Sequence, residues 1–99
     1  MPSSEARVST AMARRYLGQL CKHFAHRIPV TQTEAAGRIE FPAGTCEFRA
    51  DTDLLVMRAE AADDAALTRV QEVVDSHLAR FAFRDQPEIR WVRAVTRAS

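Results

Sequence analysis

Three histidines and two cysteines have the widest chemical reach of any residues in this chain. His23 and His26 are three apart in a stretch with helical periodicity, which makes them neighbours on one helical surface. Two imidazoles so spaced can share a metal ion, with His77 or a cysteine completing the set. A metal-linked reading therefore rests on His23, His26 and His77. The bare HxxH spacing carries no further ligand motif. Its structural counterpart is one histidine at the border of an apolar stripe, His23, and one in solvent, His26. Cys21 is two residues from His23, and such positions on a helix point apart. Cys46 falls on the inward phase of a strand, where a thiol is inert. A nucleophilic pair would have to come from elsewhere in the chain, for example Cys46 with His77, and no activated arrangement is visible.

His77 is the most informative of these residues. It lies four after Val73, three after Val74 and four before Phe81, inside an otherwise apolar stripe. In one reading it is a core imidazole bonded through a ring nitrogen to a backbone carbonyl or a side chain, as buried polar groups nearly always are. In the other it is the polar centre of a ligand pocket between helix and sheet, drawing on His77, His23, Cys21 and Tyr16. An enzyme would need a pocket gathering His77, a thiol and a polar partner. No residue is assigned a catalytic role, and no cofactor is called for.

Other chemistry is thinner. Asp51 and Asp53 read as hairpin-turn residues, and Asp63 and Asp64 as the start of a helix. Three scattered glycines make no phosphate loop. Arg90, Trp91, Val92 and Arg93, with Arg97, mix base-stacking and phosphate-binding residue types. Trp91, however, shares the inward phase of a strand with Ile89, and the formal net charge is only +1. Nucleic acid is therefore not the expected partner.

Ninety-nine residues suffice for one domain with its own core. A hydrophobic fraction of 46% against 27% charged residues is the balance of a globular domain. No apolar run approaches the 18 residues of a membrane span, and the first ten residues lack a secretory h-region. The expectation is a cytoplasmic protein whose cysteines are reduced and unpaired.

The elements that must position these residues follow from periodicity. Residues 1–5 read as a loose leader and Arg7–Ser9 as a short strand. A helix is expected over residues 11–27, capped by Ser9 or Thr10, with Ala13, Leu17, Leu20, Phe24 and Ile28 inward, and ended by Pro29. A strand over residues 30–34 and a turn at Ala35-Ala36-Gly37 follow. Then come three alternating runs, Ile39/Phe41, Cys46/Phe48/Ala50 and Leu55/Met57/Ala59, joined by short turns as antiparallel hairpins. Pro42-Ala43-Gly44 reads as a tight turn with Gly44 at positive φ. Residues 63–83 form the longest amphipathic helix, capped by Asp63, with Leu67, Val70, Val74, Leu78 and Phe81 inward. Ile89 and Trp91 mark a last strand, and residues 95–99 a frayed tail.

The order is (β)αβββαβ. The fold class is α+β, a two-layer sandwich with both helices on one face of a mostly antiparallel sheet of four to five strands. A right-handed crossover through the second helix would set the last strand parallel to a neighbour. The outer face of the sheet carries Arg38, Glu40, Glu47, Arg49, Arg58 and Glu60, mixed signs that suit solvent or a polar interface.

Four blocks carry a resemblance: Arg15 through His26 (RYLGQLCKHFAH), Gly37 through Pro42 (GRIEFP), Ser76 through Arg84 (SHLARFAFR) and Glu88 through Trp91 (EIRW). In order and spacing they resemble the bacterial family called domain of unknown function 2218, over about residues 6–93. The resemblance implies no established activity. It brings an association with siderophore-interacting flavin reductases, and hence with iron uptake, by company alone. The reading that results is a non-catalytic binding or accessory module of unknown ligand, compatible with a homodimer. The alternative is a metal- or iron-linked protein using the helix histidines.

Overall fold

The computed structural model of the chain describes residues 2–82 and 87–93. The elements run β1 (Ser3–Ser9), α1 (Ala13–Phe24), β2 (Val30–Gln32), β3 (Ala36–Phe41), β4 (Gly44–Ala50), β5 (Leu54–Ala61), α2 (Asp64–Phe81) and β6 (Trp91–Arg93). The six strands form one sheet in the order β2-β3-β4-β5-β1-β6, antiparallel at every pairing. Both helices pack on one face, as the single-faced apolar patterns require.

Alternation decides which face is buried. Cys46, Phe48 and Ala50 of β4 and Leu55, Met57, Ala59 and Ala61 of β5 point under the helices. They meet Leu17, Leu20 and Phe24 of α1 and Leu67, Val70, Val74 and Leu78 of α2, spaced three and four apart along one side of each helix. The Asp63 carboxylate caps α2, accepting from the Ala66 N–H at 2.8 Å.

The structure departs from the sequence reading at several elements. Residues 3–5 are not a leader: Ser3–Ser9 is a full strand between β5 and β6. Its polar start is held by tertiary contact, since buried Ser4 donates through Oγ to Gln71 Oε1 on α2 at 2.6 Å. Among the described residues the sheet therefore has six strands. Helix α1 begins at Ala13 because Thr10 Oγ1 accepts from the Met12 N–H, a local turn rather than an N-cap. It stops at Phe24, whose carbonyl accepts from both Arg27 and Ile28 in a closing turn before Pro29. Ala36 and Gly37 belong to β3, because Thr33 makes the turn, accepting from the Ala36 N–H at 3.1 Å. The last strand runs antiparallel to its neighbour β1, so it is parallel to no neighbour; the connection through α2 skips over β1 and sets β6 parallel to β5. Gly44 is the first residue of β4 and its φ lies outside the left-handed region. Pro42 and Ala43 alone turn the hairpin. What needs a glycine at 44 is the Glu60 carbonyl, which a Cβ would strike. The expected frayed tail, residues 95–99, lies outside the described residues, as does the end of the second helix expected at Phe83.

Candidate functional site: a histidine pair and the open sheet face

The expected ligand residues divide into two sets. His23 on α1 and His77 on α2 come together, with ring centroids 4.7 Å apart. Phe24 stands 4.8 Å from His77, and Phe81 stands 6.0 Å from His23 edge-on. His77 is half-buried, and its Nδ1 lies 2.7 Å from the Val73 carbonyl. A carbonyl only accepts, so Nδ1 carries a proton, and in the neutral ring Nε2 is the nitrogen with the lone pair. The ring is thus tethered to its own helix, as the core reading expects, and still has one free nitrogen. His23 is exposed on α1, and the desolvation its neighbours impose still holds it below its ordinary pKa, with smaller contributions from His77, Arg27, Arg80 and His26.

His26 is exposed on the turn after α1 and does not join the ring cluster. Tyr16 and Cys21 lie in the core beneath the helix. Cys21 faces β3, close enough that a Cβ on Gly37 would come within 2.6 Å of its sulfur. Burial raises the thiol pKa of Cys21, and raises that of Cys46 strongly, so both are poor nucleophiles. The four expected ligand residues thus line no single pocket. Among the described residues, no group of three or more His, Cys, Asp or Glu side chains gathers at metal-binding distance.

The second candidate is the sheet face opposite the helices. Cross-strand register arranges its side chains in three rows over β3, β4, β5 and β1. One row reads Ala36, Arg49, Val56, Arg7; the middle row Arg38, Glu47, Arg58, Glu5; the third Glu40, Thr45, Glu60, Ser3. The middle row continues to Thr31 on β2 and Val92 on β6. No described element covers these rows. Val92 is 62% exposed there, whereas Val56 is sunk to 8% at the bottom of a groove. That groove, about 460 Å³, is walled by Glu5, Thr31, Thr33, Arg49 and Arg58.

Arg38 pairs with Glu47 across β3 and β4 at 3.0 Å, and Arg7 with Glu5 along β1 at 3.3 Å. Among the described residues, no carboxylate lies within ion-pair distance of Arg49 or Arg58. Such exposed pairs contribute little to stability, about 0–1 kcal/mol each. Their pattern is therefore of more use for recognition than for folding. Glu5 was missed as a face residue because residues 1–5 read as a leader, and Arg7 because the short strand Arg7–Ser9 was given no place in the sheet, although both alternate with inward Ala6 and Val8. Trp91 is off this face: its indole N–H donates to Asp75 on α2 at 2.7 Å.

Comparison with known proteins agrees with this architecture. The NMR structure of PA4090 from Pseudomonas aeruginosa superposes with a TM-score of 0.80 at 37% identity, covering 93% of this chain and 96% of that one. No protein of curated function matches the chain. Residues 5–92 match the family described as uncharacterized proteins conserved in bacteria, domain of unknown function 2218, and the chain belongs to that family.

Proposed function

We propose that the chain is a non-catalytic binding or accessory module of the bacterial cytoplasm, able to form a homodimer, and that it binds through the open face of its sheet. One observation carries this reading: a charged face with a central groove stands uncovered by any described element, while both thiols are sealed in the core. Charged rows of fixed register suit a partner with a patterned polar surface, where complementarity supplies specificity and on-rate more than raw affinity. Siderophore-interacting flavin reductases are partners to try first, on the family resemblance alone. Carboxylate labelling tests the reading. Glu5, Glu47 and Glu60 should be protected in concentrated cell extract relative to dilute purified protein, while Glu34 and Glu72 label equally in both. Equal labelling at all five would contradict it.

A second reading has its own observation. His77 is held at Nδ1 by the Val73 carbonyl and its ring stands against His23; in the neutral form such a ring offers Nε2 to a metal. His26 would have to swing in to complete the set His23, His26, His77. Elemental analysis of untagged protein decides between the two. Stoichiometric metal lost on His77→Phe would favour this reading over the first, and a blank would remove it.

A further inference from the structure

We infer that the open sheet face is self-complementary and takes a second copy of this chain, related by a two-fold axis that runs along the strand direction between β4 and β5. The inference rests on the proposed role of that face and adds its occupant and the register of contact. The six-stranded order has its midpoint between β4 and β5. A two-fold there lays β4 on the partner's β5, β3 on its β1 and β2 on its β6. Each row then meets itself reversed. In the middle row Arg38 faces Glu5 and Glu47 faces Arg58, twice over by symmetry. At its ends Thr31 meets exposed Val92. In the second row Arg49 faces Val56 and Arg7 faces Ala36. In the third, Glu60 faces Thr45 and Glu40 faces Ser3. Every charge meets an opposite charge or a neutral side chain, and no like charges oppose.

The other in-plane axis, perpendicular to the strands, fails this test. It lays the middle row on itself unreversed, so that Arg38, Glu47, Arg58 and Glu5 each meet their own kind. Either two-fold would give an isologous contact, but only the first sets unlike charges of the middle row against each other. Sheet faces packed in this way are aligned sandwiches, with strands of the two layers about 30° apart. Strands ~4.8 Å apart and about six residues long give a face on the order of 500–600 Å² per copy. That lies at the low end for specific interfaces, so the dimer should be weak and salt-sensitive.

Sedimentation velocity over a concentration series tests the inference. Wild-type protein should pass from monomer to dimer with rising concentration, and a change from 0.05 to 0.5 M salt should weaken association about tenfold or more. Glu47→Arg alone and Arg58→Glu alone should each be monomeric throughout, because each sets like charges against the partner. An equimolar mixture of the two variants should dimerise, since reversed position 47 of one then meets reversed position 58 of the other at one site, and the native Arg58 and Glu47 meet at the second. A wild type that stays monomeric, or dimers that ignore either reversal, would overturn the inference. Should a variant fail to fold, amide shifts of wild type on dilution decide: they must concentrate on β4 and β5. Monomeric wild type whose Glu5, Glu47 and Glu60 are still protected in extract would sink the self-pairing and leave the binding role of the face intact, with a different partner.

Discussion

His23 and Asp75 both shift on folding, with opposite consequences for stability against pH. His23 binds a proton less readily in the fold than in the unfolded chain. Stability from its neutral form is therefore complete above the ordinary value of 6.5 and is lost as the pH falls through the interval below it. His23→Gln should remove part of this acid sensitivity, seen as a flatter plot of urea midpoint against pH below 6.5. Asp75 has the opposite sign. Burial raises its pKa, against the indole N–H of Trp91, which favours the charged form. Its protonated form thus favours the fold fully below 3.8, and that contribution is lost as the pH rises through the raised value. At neutral pH the carboxylate is a cost. Asp75→Asn keeps an acceptor for the indole and should leave neutral stability equal or higher. Trp91→Phe abandons the half-buried carboxylate and should cost about 1–3 kcal/mol by denaturant unfolding. The two cysteines should resist a maleimide under native conditions and react only on unfolding; rapid native labelling would contradict their burial.

Close backbone approach decides the most sensitive positions among the elements. A Cβ at Gly44 would strike the Glu60 carbonyl, and both are backbone-held, so Gly44→Ala should already cost about 1–3 kcal/mol. Gly37 differs, because the obstacle is the Cys21 sulfur at the end of a side chain. Gly37→Ala should therefore be rescued in part by Cys21→Ala, with a coupling of at least about 0.5 kcal/mol in a double-mutant cycle. An unchanged midpoint for Gly44→Ala, or strict additivity for the pair, would refute these contacts. Both glycines show where sequence reasoning reached its limit. The hairpin around residue 44 was legible from Pro42 and the flanking alternation. The cause of the glycine was not, because Glu60 is distant in sequence and the clash is tertiary. Helix α2 was legible almost to the residue, since an N-cap and an apolar stripe are local signals. Strand β1 was legible only in its second half, Arg7–Ser9: Ser3 and Ser4 carry no strand propensity, and their burial comes from β5, β6 and Gln71.

Taken whole, the molecule is a sheet with one side spent on the core and the other left to the outside. The layer arrangement followed from two amphipathic helices and alternating strands, and needed no knowledge of strand order. The strand order needed the structure, and with it the rows of the open face. Arg38, Glu47, Arg49 and Arg58 were legible as outward residues, but their alignment with Glu5 and Arg7 depends on β1 entering the sheet beside β5. The histidine pair was half legible: periodicity placed His77 inside the apolar stripe of one helix and His23 at the border of the other's, and only packing could bring the rings together while leaving His26 outside. The central claim is that the open sheet face, not the helical layer, meets the partner. Site-specific photo-crosslinking in the bacterium that makes the protein tests it most directly. A photoreactive residue at position 40 or 49, on the sheet face, should give crosslinked species, and the same residue at position 22 or 69, on the helices, should give none. Crosslinks from the helical positions with none from the sheet face would contradict the account.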